Sequence, residues 1–502
     1  MRSYLAVDLG AESGRVVRGD LAGGRLRVRQ VTRFPNRPVR TADGLYWDAA
    51  ALRAAVVAGI GAALRERPTT TSAGAGIASI GVDAWGNDFG LLDSAGRLLA
   101  DPWHHRTGRT AGMLGLALER IDPDHLYAVT GTQFLPITMA CQLLAMRGSP
   151  VLAAADRLAM MPDLVGYWLA GRLATDQTVA STSQLWDIRK GGWSHAVIEQ
   201  LGLPARLFDS EVVPAGTPLG PLDQAIAGPG VPAPLVVTVA GHDTASAVAA
   251  VPSDTSAFGY ISCGTWSLVG VETDAPITTP AARAAGFTNE AGVGDRVRFL
   301  SNVNGLWLVQ ECRRAWASGD GAPTYPELTA AAAAAPAFRT LVDPDEPSLL
   351  GMGDMPARLA AACRRAGEPV PPDRGATVRC ILESLACRYR WVLERAEALS
   401  GAPVRVLHLV GGGAANDLLC QLTADLTGRP VVAGPVEATA VGNLLVQAMA
   451  DGQVSGLAAL RAVVRRSFPA VTYLPGGDRE RCAAAYRRFE RTVAAQRPGG
   501  DG

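Results

Sequence analysis

Twice along this chain an apolar run breaks on a short turn of glycine and hydroxyl residues and returns at once as a second strand. Residues 4–7 read Tyr-Leu-Ala-Val, residues 8–14 read Asp-Leu-Gly-Ala-Glu-Ser-Gly, and residues 15–21 return with apolar and polar positions alternating. The pattern recurs at residues 257–263, 264–267 (Gly-Thr-Trp-Ser) and 268–273. Alternation with period two over short runs predicts half-buried strands. Glycine among small hydroxyl residues predicts a tight turn whose backbone can approach a ligand. One such hairpin near the start of each half points to a duplication of two similar halves. No repeat of sequence accompanies them, so the duplication is one of pattern alone. The boundary is expected within 246–257, giving domains over 1–248 and 249–496.

The length allows this, because 502 residues exceed what one ordinary core accommodates. A hydrophobic share of 48% with 19% charged residues is that of a globular chain. The formal net charge is zero, which argues against a nucleic-acid partner. No run approaches 18 apolar residues, so no membrane partner is expected. The opening "MRSYLAVDLG" has no signal-peptide core, since Asp8 interrupts the apolar run. Eight single cysteines without a Cys-x-x-Cys pair fit free thiols in a reducing, cytoplasmic setting. Nothing fixes an oligomeric state; a monomer is the expectation. Helices should fill most of 111–210, and the Pro/Gly-rich stretch 212–234 reads as a surface connection.

Five stretches carry possible chemistry. Residues 8–15 combine a strand-end carboxylate, Asp8, with a turn whose N–H groups could form an anion nest. Asp8 could hold Mg²⁺ through water. Taken alone, an ordinary polar hairpin explains these residues at least as well, and the same holds for Ser262 to Ser267. In "LHLVGGGAAN" (407–416) a strand ends on three glycines and enters a helix. Three consecutive glycines cost conformational entropy, which favours a ligand lying against bare backbone over a plain turn. The G-x-G-x-x-G fingerprint is absent, which disfavours a dehydrogenase. No Walker lysine exists either; the one lysine, Lys190, lies in "DIRKGGWS". Nucleotide handling would therefore rest on backbone amides, hydroxyls and Mg²⁺.

The remaining two stretches follow apolar runs. In "GVDAWGNDF" (81–89) the polar groups beside Trp85 suit a polyol, or else Trp85 is a core anchor. In "AGHDTASAV" (240–248) Asp243 stands where a strand meets a helix. It reads equally as a helix cap and as a base at the C-terminal edge of a sheet, where clefts form.

Together "AVDLGAESGRV", "SIGVDAWGNDFGLLD", "MPDLVGYWLAGRLATDQTVASTSQL", "AGHDTASAV", "ISCGTWSLVG", "NVNGLWLVQE", "RCILESLA", "LHLVGGGAANDLL" and "GPVEATAVGNLLVQAM" resemble, in order, segments of the FGGY family of carbohydrate kinases. The resemblance spans roughly 4–475 and is greatest to members acting on L-rhamnulose. It implies two actin-like, ribonuclease-H-like α/β domains with a cleft between them. It further implies transfer of the γ-phosphoryl group of ATP to the 1-hydroxyl of L-rhamnulose, with Mg²⁺ as cofactor. L-Fuculose or xylulose as substrate, or a non-catalytic sugar sensor, are the alternatives. By matching position, Ala11, Glu12, Ser13, Gly14 and Arg15 would contact phosphates, with Thr265, Gln310 and Gly412 completing the nucleotide site. Gly86, His242, Thr244 and Asn302 would line the sugar pocket, and Asp243 would take the proton. Glu12 departs from relatives carrying serine, and should turn from the triphosphate or face Mg²⁺.

Overall fold

The computed structural model describes residues 1–66, 76–317 and 322–496. The loop that "TTTSAGAG" (69–76) predicts, except Gly76, and the tail "RPGGDG" (497–502) lie outside them. The chain forms two compact units. The first holds Met1–Asp254, Glu272–Phe299 and Glu437–Pro469; the second holds Thr255–Val271, Leu300–Val436 and Ala470–Gly502. The first passage between them falls inside the 246–257 window, and two later segments return to the first unit.

The first unit is built on a six-stranded sheet in the order Pro218–Pro221, Leu235–His242, Ile77–Ala84, Arg2–Leu9, Ser13–Ala22, Arg25–Pro35. Arg2–Leu9, Ile77–Ala84 and Leu235–His242 are mutually parallel; the other pairings are antiparallel. Arg2–Leu9 is buried from Ser3 onward, so both its faces need cover, as a parallel central strand requires. Alternation along Ile77–Ala84 divides the cover. Ile80 and Val82 join Leu52, Val56 and Ile60 of the helix Ala49–Arg65, while Gly81 lies under the helix Ala438–Ala450. The Ala49–Arg65 helix starts where the Asp48 side chain accepts the Ala51 N–H.

In the second unit Phe258–Cys263 pairs antiparallel with Trp266–Thr273 and parallel with Val406–Val410. Val406–Val410 pairs parallel with Val431–Ala433, which pairs antiparallel with Val471–Tyr473. Arg2–Leu9 stands in the same relation to Ser13–Ala22 and Ile77–Ala84. The recurrent strand, turn and strand of the sequence is thus a shared pairing scheme.

Short helices fill much of 111–210, as expected. The 212–234 stretch differs from expectation. Pro218–Pro221 is an edge strand, tolerating proline because an edge leaves one side of its ladder unpaired. Among the described residues no helix is long and apolar enough to cross a membrane, and the eight cysteines are free and buried.

Candidate active site

Parallel pairing in the first unit delivers three carboxylates to one edge of its sheet. Asp8 and Asp83 are register partners, and His242 pairs with Ala84, so Asp243 follows at the same edge. Antiparallel pairing sets Arg15 opposite Asp8, where its Nε and Nη2 donate to Asp8 Oδ2 over 2.9 and 2.7 Å. Its Nη1 pairs with Glu437, ahead of the helix Ala438–Ala450. The Arg15 guanidinium is therefore held by two carboxylates. Asp83 exposes nothing; its Oδ2 accepts from Asn443 Nδ2 (2.6 Å), and its Oδ1 is buried without a partner. Burial, then repulsion from Asp8, pushes the Asp83 carboxyl well above its usual range.

Asp243 is the first residue of the helix Asp243–Ala249, and its side chain is 31% exposed. Its Oδ1 accepts from the Thr244 N–H (2.6 Å) and hydroxyl (3.2 Å). Burial raises its pKa; His242 opposes the rise and Asp8 adds to it. The turn before it is anchored from another segment. Gly241 N–H donates to Asp176 Oδ1 (3.0 Å), and His242 N–H donates to Thr178 Oγ1 (3.1 Å). Asp176 Oδ1 also accepts the Thr178 and Val179 N–H groups and the Thr178 hydroxyl. A second buried carboxyl, Asp163, accepts the Asp176 N–H (3.0 Å).

Burial lifts Asp176 to about 6, and burial followed by repulsion from Asp176 lifts Asp163 well above its usual range. A carboxyl whose folded pKa is raised binds its proton more tightly folded than unfolded. Its stabilising contribution is complete below about pH 4 and is lost as pH rises through about 6. Asp176→Asn, which does not titrate, should therefore gain roughly 2 kcal/mol relative to the parent between pH 4 and pH 7. Urea unfolding at the two pH values measures this; a pH-independent difference would count against a perturbed Asp176.

Asn36, which sequence reasoning missed, braces the first turn. Its Nδ2 donates to Gly10 O (2.9 Å) and its N–H to Glu12 O (3.0 Å), while Gly10 N–H closes on Ser13 O (3.1 Å). Glu12 is exposed, Ala11 and Ser13 are half-buried, Gly14 is buried, and Ser13 Oγ accepts from Arg33.

In the second unit Gly264 N–H donates to Trp266 O (2.8 Å), and Thr265 O accepts the N–H groups of Gly305 (3.2 Å) and Trp307 (3.1 Å). The glycine triplet divides in role. A side chain at Gly411 would press on Cys263 O at 2.9 Å, and one at Gly413 would lie 2.6 Å from Cys263 Cβ. Packing on Cys263 thus accounts for both. At exposed Gly412 an added Cβ meets nothing nearer than Cys263 O at 4.0 Å, so packing does not demand that glycine. Gln310 Oε1 is buried without a partner, and Asn302 is half-buried on Val297–Asn304.

The stretch after Asp83 is resolved in favour of the core anchor. Trp85 is 6% exposed and donates from Nε1 to Asp88 Oδ2 (2.9 Å). Trp47 Nε1 (2.7 Å) meets the same oxygen, His105 Nδ1 lies 2.9 Å from it, and Gln142 Nε2 donates to Oδ1 (3.0 Å). Asp88 is enclosed by protein groups and does not present a carboxylate to a polyol. Gly86 stays half-buried, and a Cβ there would sit 3.0 Å from Thr182 Oγ1.

Asn443 and Gln447 were also missed. Gln447 Nε2 donates to Asn443 Oδ1 (2.7 Å) and to Leu5 O (2.8 Å), and Ser79 Oγ donates to Gln447 Oε1 (2.7 Å). Their signal is visible in "AVGNLLVQAM", where two amides four apart share one face of an apolar helix. Among the described residues no three His, Cys, Asp or Glu side chains form a metal cage.

The family model described as "FGGY family of carbohydrate kinases, N-terminal domain" matches residues 3–250, and its C-terminal counterpart matches 259–450. A protein named rhamnulokinase from Bacteroides thetaiotaomicron is 42% identical over 495 residues, 98% of this chain and 99% of its own. Another of that name, from Enterococcus faecalis, is 38% identical and covers 94% of each chain. Among solved structures, xylulose kinase from Lactobacillus acidophilus superposes with a TM-score of 0.79 at 15% identity, over 99% of this chain and 98% of that one. Plasmodium falciparum glycerol kinase with ADP gives 0.77 at 14% identity, over 99% of both. These likenesses establish a mixed α/β, actin-like fold.

Proposed function

Because the chain belongs to the FGGY family of carbohydrate kinases, we propose that it transfers the γ-phosphoryl group of ATP to the 1-hydroxyl of L-rhamnulose, giving L-rhamnulose 1-phosphate and ADP. The observation that carries the substrate is the 42% identity to a rhamnulokinase over nearly the whole of both chains.

A primary alcohol is a poor nucleophile, so a base must take its proton as its oxygen bonds to phosphorus and the bond to the ADP oxygen breaks. Asp243 is that base. It stands partly open at a sheet edge, and Thr244 fixes its Oδ1. His242, Thr244, Gly86 and Asn302 orient the sugar. The turn Ala11, Glu12, Ser13, Gly14 and Arg15 meets phosphate, with Thr265, Gln310 and Gly412 completing the nucleotide site. The orphaned Gln310 Oε1 suits a donor on the nucleotide.

The residues fit Mg²⁺. Asp8 and Asp83 lie side by side, Asp83 Oδ1 has no protein partner, and Mg²⁺ needs only one or two carboxylates beside phosphates and water. Asp8 and Asp83 would hold it, and when bound it would offset the charge on the phosphate oxygens.

Coupled ADP release over a panel of ketoses tests the reading. L-Rhamnulose should give the highest kcat/KM; no turnover with it, or a clear preference for L-fuculose or xylulose, would overturn the assignment. Gly412→Ala should fold as the parent does, since nothing blocks the methyl group, yet raise KM for ATP severalfold. An unchanged KM would remove Gly412 from the nucleotide site.

A further inference from the structure

His242 is held from behind by a buried ion pair to which nothing above gives a role. Arg298 exposes none of its surface, Glu290 4% and His242 7%. Arg298 Nη2 lies 2.9 Å from Glu290 Oε2 and 3.1 Å from His242 Nδ1, and its Nε donates to Ala291 O (3.1 Å). Glu290 Oε2 is also 3.2 Å from Nδ1. On the far side of the ring, Nε2 lies 3.6 Å from Asp243 Oδ1. We infer that Glu290 and Arg298 are positioning residues that lock His242 in the tautomer carrying its proton on Nε2, fixing a hydrogen-bond donor beside Asp243 that faces the sugar.

The tautomer follows from what each group can donate or accept. A guanidinium only donates, so an imidazole nitrogen at hydrogen-bond distance from it must offer a lone pair. Glu290 competes for Nδ1 as an acceptor, which would demand the opposite tautomer. Yet Glu290 Oε2 takes no hydrogen bond and lies 2.9 Å from Arg298 Nη2, whereas the hydrogen bond of that guanidinium nitrogen goes to Nδ1. The carboxylate thus already has Arg298 as its charged partner. A ring with a bare Nδ1 satisfies Arg298 and carries its proton on Nε2. At 3.6 Å that N–H is not consumed by Asp243, so it is available to a substrate oxygen. The backbone under the ring is fixed separately, by Thr178.

That the donor meets a sugar rests on the proposed function; the tautomer itself does not. Two-bond ¹⁵N–¹H correlation on the full chain labelled at its six histidines, with His242 assigned by its loss in His242→Gln, reads the tautomer directly. The expected signal is a protonated Nε2 and a bare Nδ1. An Nδ1–H form or an imidazolium in the parent at neutral pH overturns the lock.

Arg298→Lys keeps a donor and should keep the tautomer. Arg298→Met with Glu290→Gln removes the donor without stranding a buried charge. It should mix the tautomers and raise KM for L-rhamnulose roughly tenfold, about the loss of one hydrogen bond, with a smaller change in kcat. A folded double variant with parental tautomer and parental KM overturns the positioning role. A locked His242 in a chain without ketose kinase activity would instead reject the proposed function and leave the lock standing.

Discussion

Asp243→Asn is expected to lower kcat by roughly 10²–10⁴-fold, the range a positioned general base supplies, while leaving the fold intact. The substitution is close to isosteric. The amide oxygen still accepts the Thr244 N–H that Oδ1 now accepts, and Gly241 and His242 remain tied to Asp176 and Thr178. Only the capacity to take a proton is lost. The parent's pH profile gives a second check on the same group. Its raised pKa means the carboxylate form is lost at a higher pH than for an ordinary aspartate, first through burial and further through Asp8, with His242 opposing. As pH falls, kcat/KM should drop along a limb set above about 4, and that limb should be absent from the residual activity of Asp243→Asn. Near-parental turnover in the variant would remove Asp243 from the chemistry.

What could be read from the sequence follows from how far each constraint reaches along the chain. Period-two alternation and glycine turns are local, so the paired hairpins and the strand before Asp243 were legible. The placing of Asp243 at a sheet edge needed only the order of strand and helix. The partners that tune it are remote. Asp176 and Thr178 lie more than sixty residues from the turn they anchor, Arg298 lies 56 from His242, and Asn443 lies 360 from Asp83. No local pattern encodes such pairs.

The glycine triplet and Trp85 show a second limit. Gly411 and Gly413 are explained by one neighbouring residue, Cys263, and the polar cluster around Trp85 by one buried carboxylate, Asp88. Composition alone cannot separate a glycine needed for packing from one open to a ligand. Arg15 belongs here as well, since its guanidinium is held by Asp8 and Glu437.

Gly442→Ala should destabilise the fold by on the order of 3 kcal/mol or more, although it adds a single methyl group. The helix Ala438–Ala450 packs on the helix Asp243–Ala249. At Gly442 an added Cβ would overlap the carbonyl oxygen of Ser246 and lie 2.6 Å from its carbon. Both residues of the contact are buried. The obstacle is backbone, so no rotamer change relieves it and one helix must withdraw. Withdrawal reaches the site, because the same helix carries Asn443 to Asp83 and Gln447 to Leu5 O, and begins beside Glu437. Activity should therefore fall together with the urea midpoint. Gly115→Ala is the matched control: it lies in the helix Met113–Arg120, and an added Cβ meets nothing within 4 Å. Alanine there should be neutral or stabilising by up to about 1 kcal/mol. If Gly442→Ala unfolded at the parental urea concentration, the helices could not pack as closely as this contact requires, and Asp83 would lose the support assigned to Asn443.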